Sequence, residues 1–197
     1  MPAEERRAQL LDAALDIALA EGFHAVTVDG VARAAGVTRP VVYGLFTDRT
    51  QILAGLLERA VQAALAALGP ALPDVPAGGD PIDPDTLLVG GLRTYLTAVR
   101  DDPRTWKVIL LPPEGAPAEL AELITTGRRQ VLRHLRALVE WGLQARGGPA
   151  VLDVDLFARS VQALAEDAAR LLLAQPDRYP VERFTEFTRT LLAGLRR

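Results

Sequence analysis

The sequence predicts an all-α fold, an N-terminal three-helix module followed by a larger all-helical one. Three observations carry this. Apolar residues recur at helical spacing, no stretch alternates with period two between turn signals, and Gly and Pro cut the chain into helix-sized pieces. With 197 residues, 49% apolar and 24% charged, the chain can bury a core and gives no reason to expect long disorder. Against 25 Asp and Glu stand 22 basic residues, a net charge of −3 that argues weakly against a nucleic-acid partner. Of the basic residues 21 are Arg and one is Lys107, a bias that fits GC-rich coding composition. The absence of cysteine excludes disulfides, thiol catalysis and cysteine metal sites. The opening Met1-Pro-Ala-Glu-Glu-Arg-Arg lacks a signal peptide's apolar stretch, and no window holds about 18 apolar residues free of charge. A cytoplasmic protein with no membrane partner is expected.

The first helix is expected over about 6–21, with Leu10, Leu11, Ala14, Leu15, Ile17 and Ala18 on its apolar face and Gly22 after it. Two short helices follow within 27–46, hinged at Gly36-Val37, and a long one covers 49–68. The stretch from Gly69 to Asp85 holds five prolines and three glycines and cannot be regular helix. It separates a module of residues 1–68 from one of 86–197, with 69–85 as the connection. In the second module helices are expected near 85–101, 103–111, 117–146, 153–175 and 181–196, broken at Asp102-Pro103, Pro112-Pro113, Gly147-Gly-Pro149 and Gln175-Pro176.

Chemistry concentrates in 27–49. Thr27 and Thr38 suit N-caps, since a hydroxyl can accept from an orphaned backbone N–H. Val28, Val31, Ala32 and Ala35 form an apolar stripe that Val42 and Phe46 continue, and Gly36 can take the positive φ of a tight turn. These features spell a helix-turn-helix. Arg39 opens its second helix and Arg49 the next, after Asp48, whose partner Gln51 makes a capping-box-like pair. A cation in a helix's first turn is disfavoured by about 0.3–1 kcal/mol. An external phosphate would compensate; exposure to solvent is the plainer alternative.

Residues 22–53, with Gly22-Phe23, Thr27-Val28-Asp29-Gly30, Gly36-Val37-Thr38-Arg39-Pro40, Tyr43-Gly44-Leu45-Phe46 and Arg49, resemble the DNA-binding domain of the TetR family of bacterial transcriptional regulators. The resemblance covers about residues 7–58. It implies that Thr27, Thr38, Tyr43 and Arg49 contact phosphates, and that Arg39, Pro40 and Val41 meet the major groove. Arg39 could then bond guanine O6 and N7, worth roughly 1–3 kcal/mol of base discrimination. Gly44-Leu45 stands where larger polar or aromatic residues are frequent, which implies fewer phosphate contacts. Gly30 replaces a helix former and implies a soft first turn.

The resemblance further implies that the second module dimerises and binds a small effector. Phe157, Val161, Leu164, Ala168 and Leu171, with Phe184, Phe187 and Leu191, lie along helical faces that could build a four-helix bundle with a second copy. An intramolecular core is the alternative. Tyr95, Trp106, Leu123, Gly127, Arg128, Val131, His134 and Trp141 are candidates for an apolar, aromatic-walled effector pocket, though a lone His at helical spacing is more often structural. His24 and His134 lack carboxylate neighbours at ligand spacing, and no phosphate loop or nucleophile set is visible, so no metal, cofactor or enzymatic activity is expected.

The expected function is a ligand-responsive homodimeric regulator, a repressor that a small apolar or aromatic effector releases from a palindromic duplex operator. The rival is an all-helical adaptor or small-molecule-binding protein whose hairpin is only structural. Charge bears on the choice. Residues 1–68 hold six Arg against eight acids, yet 33–49 carries Arg33, Arg39 and Arg49 against Asp48 alone, a local +2 to which Arg6 and Arg7 could add. Such a small footprint predicts a shallow salt dependence, log K falling by roughly 0.9 per phosphate neutralised.

Overall fold

The computed structural model describes residues 1–75, 82–146 and 152–195; part of the expected connection, 76–81, and the Gly147-Gly-Pro149 break lie outside them. The described residues form α1 (Ala3–Glu21), α2 (Val28–Ala34), α3 (Arg39–Tyr43), α4 (Arg49–Leu68), α5 (Pro84–Asp101), α6 (Pro103–Leu110), α7 (Ala118–Arg146), α8 (Val154–Ala174) and α9 (Val181–Leu195), and no strand. The fold is all-α, with the helix-turn-helix at its N-terminal end.

Packing divides the chain into two units, Met1–Ala64 with Arg104–Ile124, and Leu65–Pro103 with Thr125–Arg197. The division falls elsewhere than the Pro/Gly-rich stretch. Residues 104–124, placed with the second module by sequence order, join the first because Val108 and Leu120 are enclosed in its core with Leu10, Phe23, Val42 and Ile52. Residues 69–71 form a 3-10 turn against α5 inside the second unit.

In the first unit the apolar face of α1 is enclosed as its spacing predicts, with Leu10, Ala14 and Ala18 fully buried. Helix α4 is long and apolar enough to cross a membrane by length and composition, mean hydropathy 1.5 over Arg49–Ala71. Its Ile52, Leu53, Leu56 and Leu57 line this core. The connection after α1 is secured by main chain. Phe23 N–H donates to Glu114 O at 2.9 Å, beside Gly22 and Gly115, which have φ of 90° and 72°.

In the second unit α5 packs on α8 and α9. Val89, Leu96, Val99, Ala169, Leu172, Val181 and Leu192 are buried, and Leu132 and Leu135 of α7 meet Ala158 of α8. Asp83 and Asp153 cap α5 and α8, accepting from Thr86 N–H at 3.3 Å and Leu156 N–H at 3.1 Å.

Candidate nucleic-acid interface

Helices α2 and α3 form a hairpin whose inner face is buried. Val31, Ala32, Val42 and Phe46 share the core of the first unit. The turn closes by two backbone bonds, Gly36 N–H to Arg33 O at 3.2 Å and Val37 N–H to Ala32 O at 2.9 Å, with Gly36 at φ 66°. This is a Schellman motif, whose left-handed residue favours glycine through its positive φ. Gln9 Nε2 donates to Ala35 O at 3.0 Å, fastening α1 to the end of α2.

The two threonines behave differently. Thr27 Oγ1 accepts from Gly30 N–H at 3.0 Å, an ordinary cap that secures the turn expected to be soft. A Cβ at residue 30 would stand 3.0 Å from that hydroxyl, so glycine permits the close approach. Thr38 occupies the N-cap position of α3 but makes no side-chain cap bond, contrary to its expected role. The reason lies in the next residues. Pro40 has no N–H, and Val41 N–H goes to Thr38's own carbonyl at 3.0 Å.

The outer face of α3 carries Arg39, Pro40, Val41, Tyr43 and Gly44, all exposed, with Val41 and Tyr43 at 38% and 55%. Phe46 is core, as expected of an aromatic ending a short helix.

The arginines are held more than the sequence suggests. Arg39 pairs with Asp29 of α2. Both side chains are largely exposed, so the pair is worth about 0–1 kcal/mol, and only one terminal nitrogen of Arg39 is engaged in it. Arg49 donates from Nε to Val26 O at 2.7 Å and from a terminal nitrogen to Phe23 O at 2.8 Å. It ties the α1–α2 connection to α4, in addition to the phosphate contact that the resemblance implies for it. Those carbonyls belong to the first residue and the C-cap of a 3-10 turn, Phe23–Ala25 with Val26. Arg7 stacks over Phe46, its guanidinium carbon 4.6 Å from the ring centroid, and Arg6 bonds Gln9 at 2.6 Å. Because Asp29 lies just outside the 33–49 window, residues 29–49 carry a net charge of +1.

The proposed effector residues are not gathered in one unit. Trp106 and Leu123 belong to the first, Tyr95, Gly127, Arg128, Val131, His134 and Trp141 to the second. His134 is structural, its Nε2 2.7 Å from Pro73 O, and Val131 packs on Leu132 and Leu135. Arg128 bonds both oxygens of Glu166 at 3.0 and 2.7 Å, and Arg170 adds a contact at 3.0 Å. Beside them Tyr95 is buried, and burial raises its phenol pKa, with the Glu166 charge adding to the effect. A groove of about 430 Å³ in the second unit is lined instead by Asp83, Asp85, Thr86, Val89, Gly90, Arg93, Arg189 and Ala193.

Along the expected dimer faces Leu156, Leu164, Phe187 and Leu191 are 46–62% exposed, while Phe157, Val161, Leu171 and Phe184 are half-buried. Ala168 is 6% exposed, so this residue, expected at an interface, sits in the protomer's own core.

Residues 10–56 match the model of the family described as bacterial regulatory proteins, tetR family. The transcriptional activator FasR of Mycolicibacterium smegmatis is 36% identical over 72 residues, 36% of this chain and 33% of that protein, so the chain spans about a third of this relative's length. The structure of a TetR-like transcriptional regulator from Rhodococcus sp. RHA1 superposes with a TM-score of 0.74 at 22% identity, over 98% of this chain and 99% of that one. FadR from Bacillus subtilis, solved in complex with stearoyl-CoA, superposes with a TM-score of 0.65 at 18% identity, over 94% and 96% of the two chains.

Proposed function

From the premise that residues 10–56 are a DNA-binding domain of the TetR family of bacterial regulators, we propose that the protein is a homodimeric transcriptional regulator whose α3 enters the major groove. One observation carries the reading: α3 is held from behind by Val42 and Phe46 while Arg39, Pro40, Val41 and Tyr43 stand together in solvent. Arg39 reads guanine, Pro40 and Val41 offer apolar contact to thymine methyls, Thr27, Thr38 and Tyr43 set the helix on the phosphates, and Gly44 lets the backbone approach them closely. Arg49 acts mainly by holding the scaffold that presents them.

Dimerisation is supported by the unpartnered leucines and Phe187 of α8 and α9, an apolar surface that a protomer would otherwise leave to water. A two-fold dimer fits a palindromic operator with half-sites one helical turn apart or a multiple of it. Repression is the proposed outcome, since a dimer lying on a promoter blocks it by occupancy alone. An effector bound by the second unit releases DNA to the extent that it prefers the released form. Apolar chains are the first class to test, because FadR from Bacillus subtilis holds stearoyl-CoA within the same fold.

Fluorescence anisotropy on duplexes from the gene's own upstream region, at two salt concentrations, tests the reading. Specific binding survives competitor DNA and is lost with Arg39→Ala. Failure on every upstream fragment rejects it. Light scattering adds a check on the assembly: Leu164→Arg with Phe187→Glu gives folded monomers that no longer bind a palindromic site.

A further inference from the structure

Asp29 is an acid on the face that meets DNA, where an uncompensated carboxylate would repel phosphate. It sits in the first turn of α2 and pairs with Arg39, the first residue of α3, across the hairpin. The two side chains are 46% and 64% exposed, so the pair is outside the core and available to a ligand. Its carboxylate engages one terminal nitrogen of Arg39, and a guanidinium carries further donors in the same planar fork.

We propose that Asp29 is a specificity-determining positioning residue: it aims the Arg39 fork at guanine and penalises every binding mode in which Arg39 leaves it for a phosphate. This rests on the reading of α3 as the groove-entering helix. The physical case has two parts. A long arginine free in solution must lose its rotamer freedom on reaching a base edge, and a partner that already holds one nitrogen reduces that loss. The carboxylate also discriminates between modes. When Arg39 meets O6 and N7 of guanine through its remaining donors, Asp29 stays paired and neutralised. When Arg39 swings to the backbone, Asp29 is left unpaired against phosphates, and that mode weakens. Discrimination thus comes from a repulsive element as well as an attractive one. No other charged side chain is bonded to Arg39 among the described residues.

The test uses the full chain as wild type, Asp29→Asn, Arg39→Ala and the double variant. Each protein selects from a library of random duplexes, and each is titrated with one random-sequence duplex at two salt concentrations. Wild type enriches a symmetric motif with a guanine in each half-site, which Arg39→Ala loses. Asp29→Asn lowers the preference for that guanine about threefold, within what an exposed ion pair is worth, and tightens binding to the random duplex by about threefold. In the Arg39→Ala background the same change leaves base preferences as they are. Asp29→Glu keeps a charge in the first turn of α2 and retains most of the preference, which separates positioning from a lost helix-end contribution; thermal melts confirm that every variant folds. An unchanged guanine preference in Asp29→Asn overturns the proposal. So does a shift in base preference that is equal with and without Arg39, because Asp29 would then read DNA directly. If wild type enriches no motif, the groove-entering reading has failed first, and the proposal with it.

Discussion

Replacing Arg49 by alanine separates a scaffold role from a phosphate role. The side chain makes two charge-assisted bonds to main-chain carbonyls, at 2.7 and 2.8 Å. Bonds of this kind are worth about 1.5–3 kcal/mol each when well buried. Residue 49 is exposed, and Phe23 O also accepts from Val26 N–H at 3.3 Å, so water and the turn recover part of the loss. A combined cost of about 1–2 kcal/mol follows. For a chain of this size that lowers Tm by about 2–8 °C. DNA affinity should fall by a similar factor on every sequence, because a loosened α1–α2 connection presents α3 less well to any site. Arg49→Lys is the control. Its ammonium lacks the planar fork whose Nε and terminal nitrogen reach the two carbonyls separately, so it restores only part of the stability while keeping the full charge. Differential scanning fluorimetry gives the first number, and anisotropy against salt the second. A Tm within a degree of wild type for Arg49→Ala, together with a salt slope lower by about 0.9 and full rescue by lysine, would mean that Arg49 is a phosphate ligand.

Two further perturbations address the second unit. Glu166→Gln leaves Arg128 and Arg170 facing a neutral amide; the Glu166 side chain is 18% exposed but its partners 44% and 35%, so the loss is about 1–2 kcal/mol, read as a lower urea midpoint. The pair Arg128→Met with Glu166→Leu recovers most of it, and failure to do so would point to strain at Arg170. Tyr95 supplies a pH test. Its folded pKa is raised above the unfolded value near 10, so its contribution is complete below about pH 10 and is lost as pH climbs toward the folded value. Tyr95→Phe should therefore flatten the fall in stability above pH 10, and an alkaline limb as steep in the variant as in wild type would put the titrating group elsewhere.

Much of the hairpin is legible in the sequence because its signals are local. Gly36 predicts a left-handed residue four positions after the buried Ala32, and Thr27 its own cap, because each acts within about one turn of the chain. What escapes is tertiary. Nothing near Arg49 in sequence shows that the carbonyls of residues 23 and 26 will stand beside it. Asp29 and Arg39 are ten positions apart on different helices, and only the fold of the turn brings them together. Thr38 was readable in part, since Pro40 removes one of the two N–H groups its hydroxyl could cap, while the loss of the other, Val41 N–H, to the Thr38 carbonyl shows only in the structure. The assignment of 104–124 was not: an amphipathic helix shows which face it buries but not which core receives it, and Val108 and Leu120 would satisfy either.

The junction of the α1–α2 connection with the segment before α7 has an evolutionary consequence. Its bond runs from Phe23 N–H to Glu114 O, main chain to main chain, so the side chain at position 114 is free to drift without weakening it. The flanking glycines have no such latitude. A Cβ on Gly22 would fall 2.9 Å from His24 Nδ1 and 3.0 Å from Glu114 O, at a φ that other residues rarely adopt. Relatives that keep this joint should therefore vary widely at 114 and hold glycine at 22. A lineage that loses Gly22 should have rebuilt the whole segment from 111 to 117 rather than exchanged one residue.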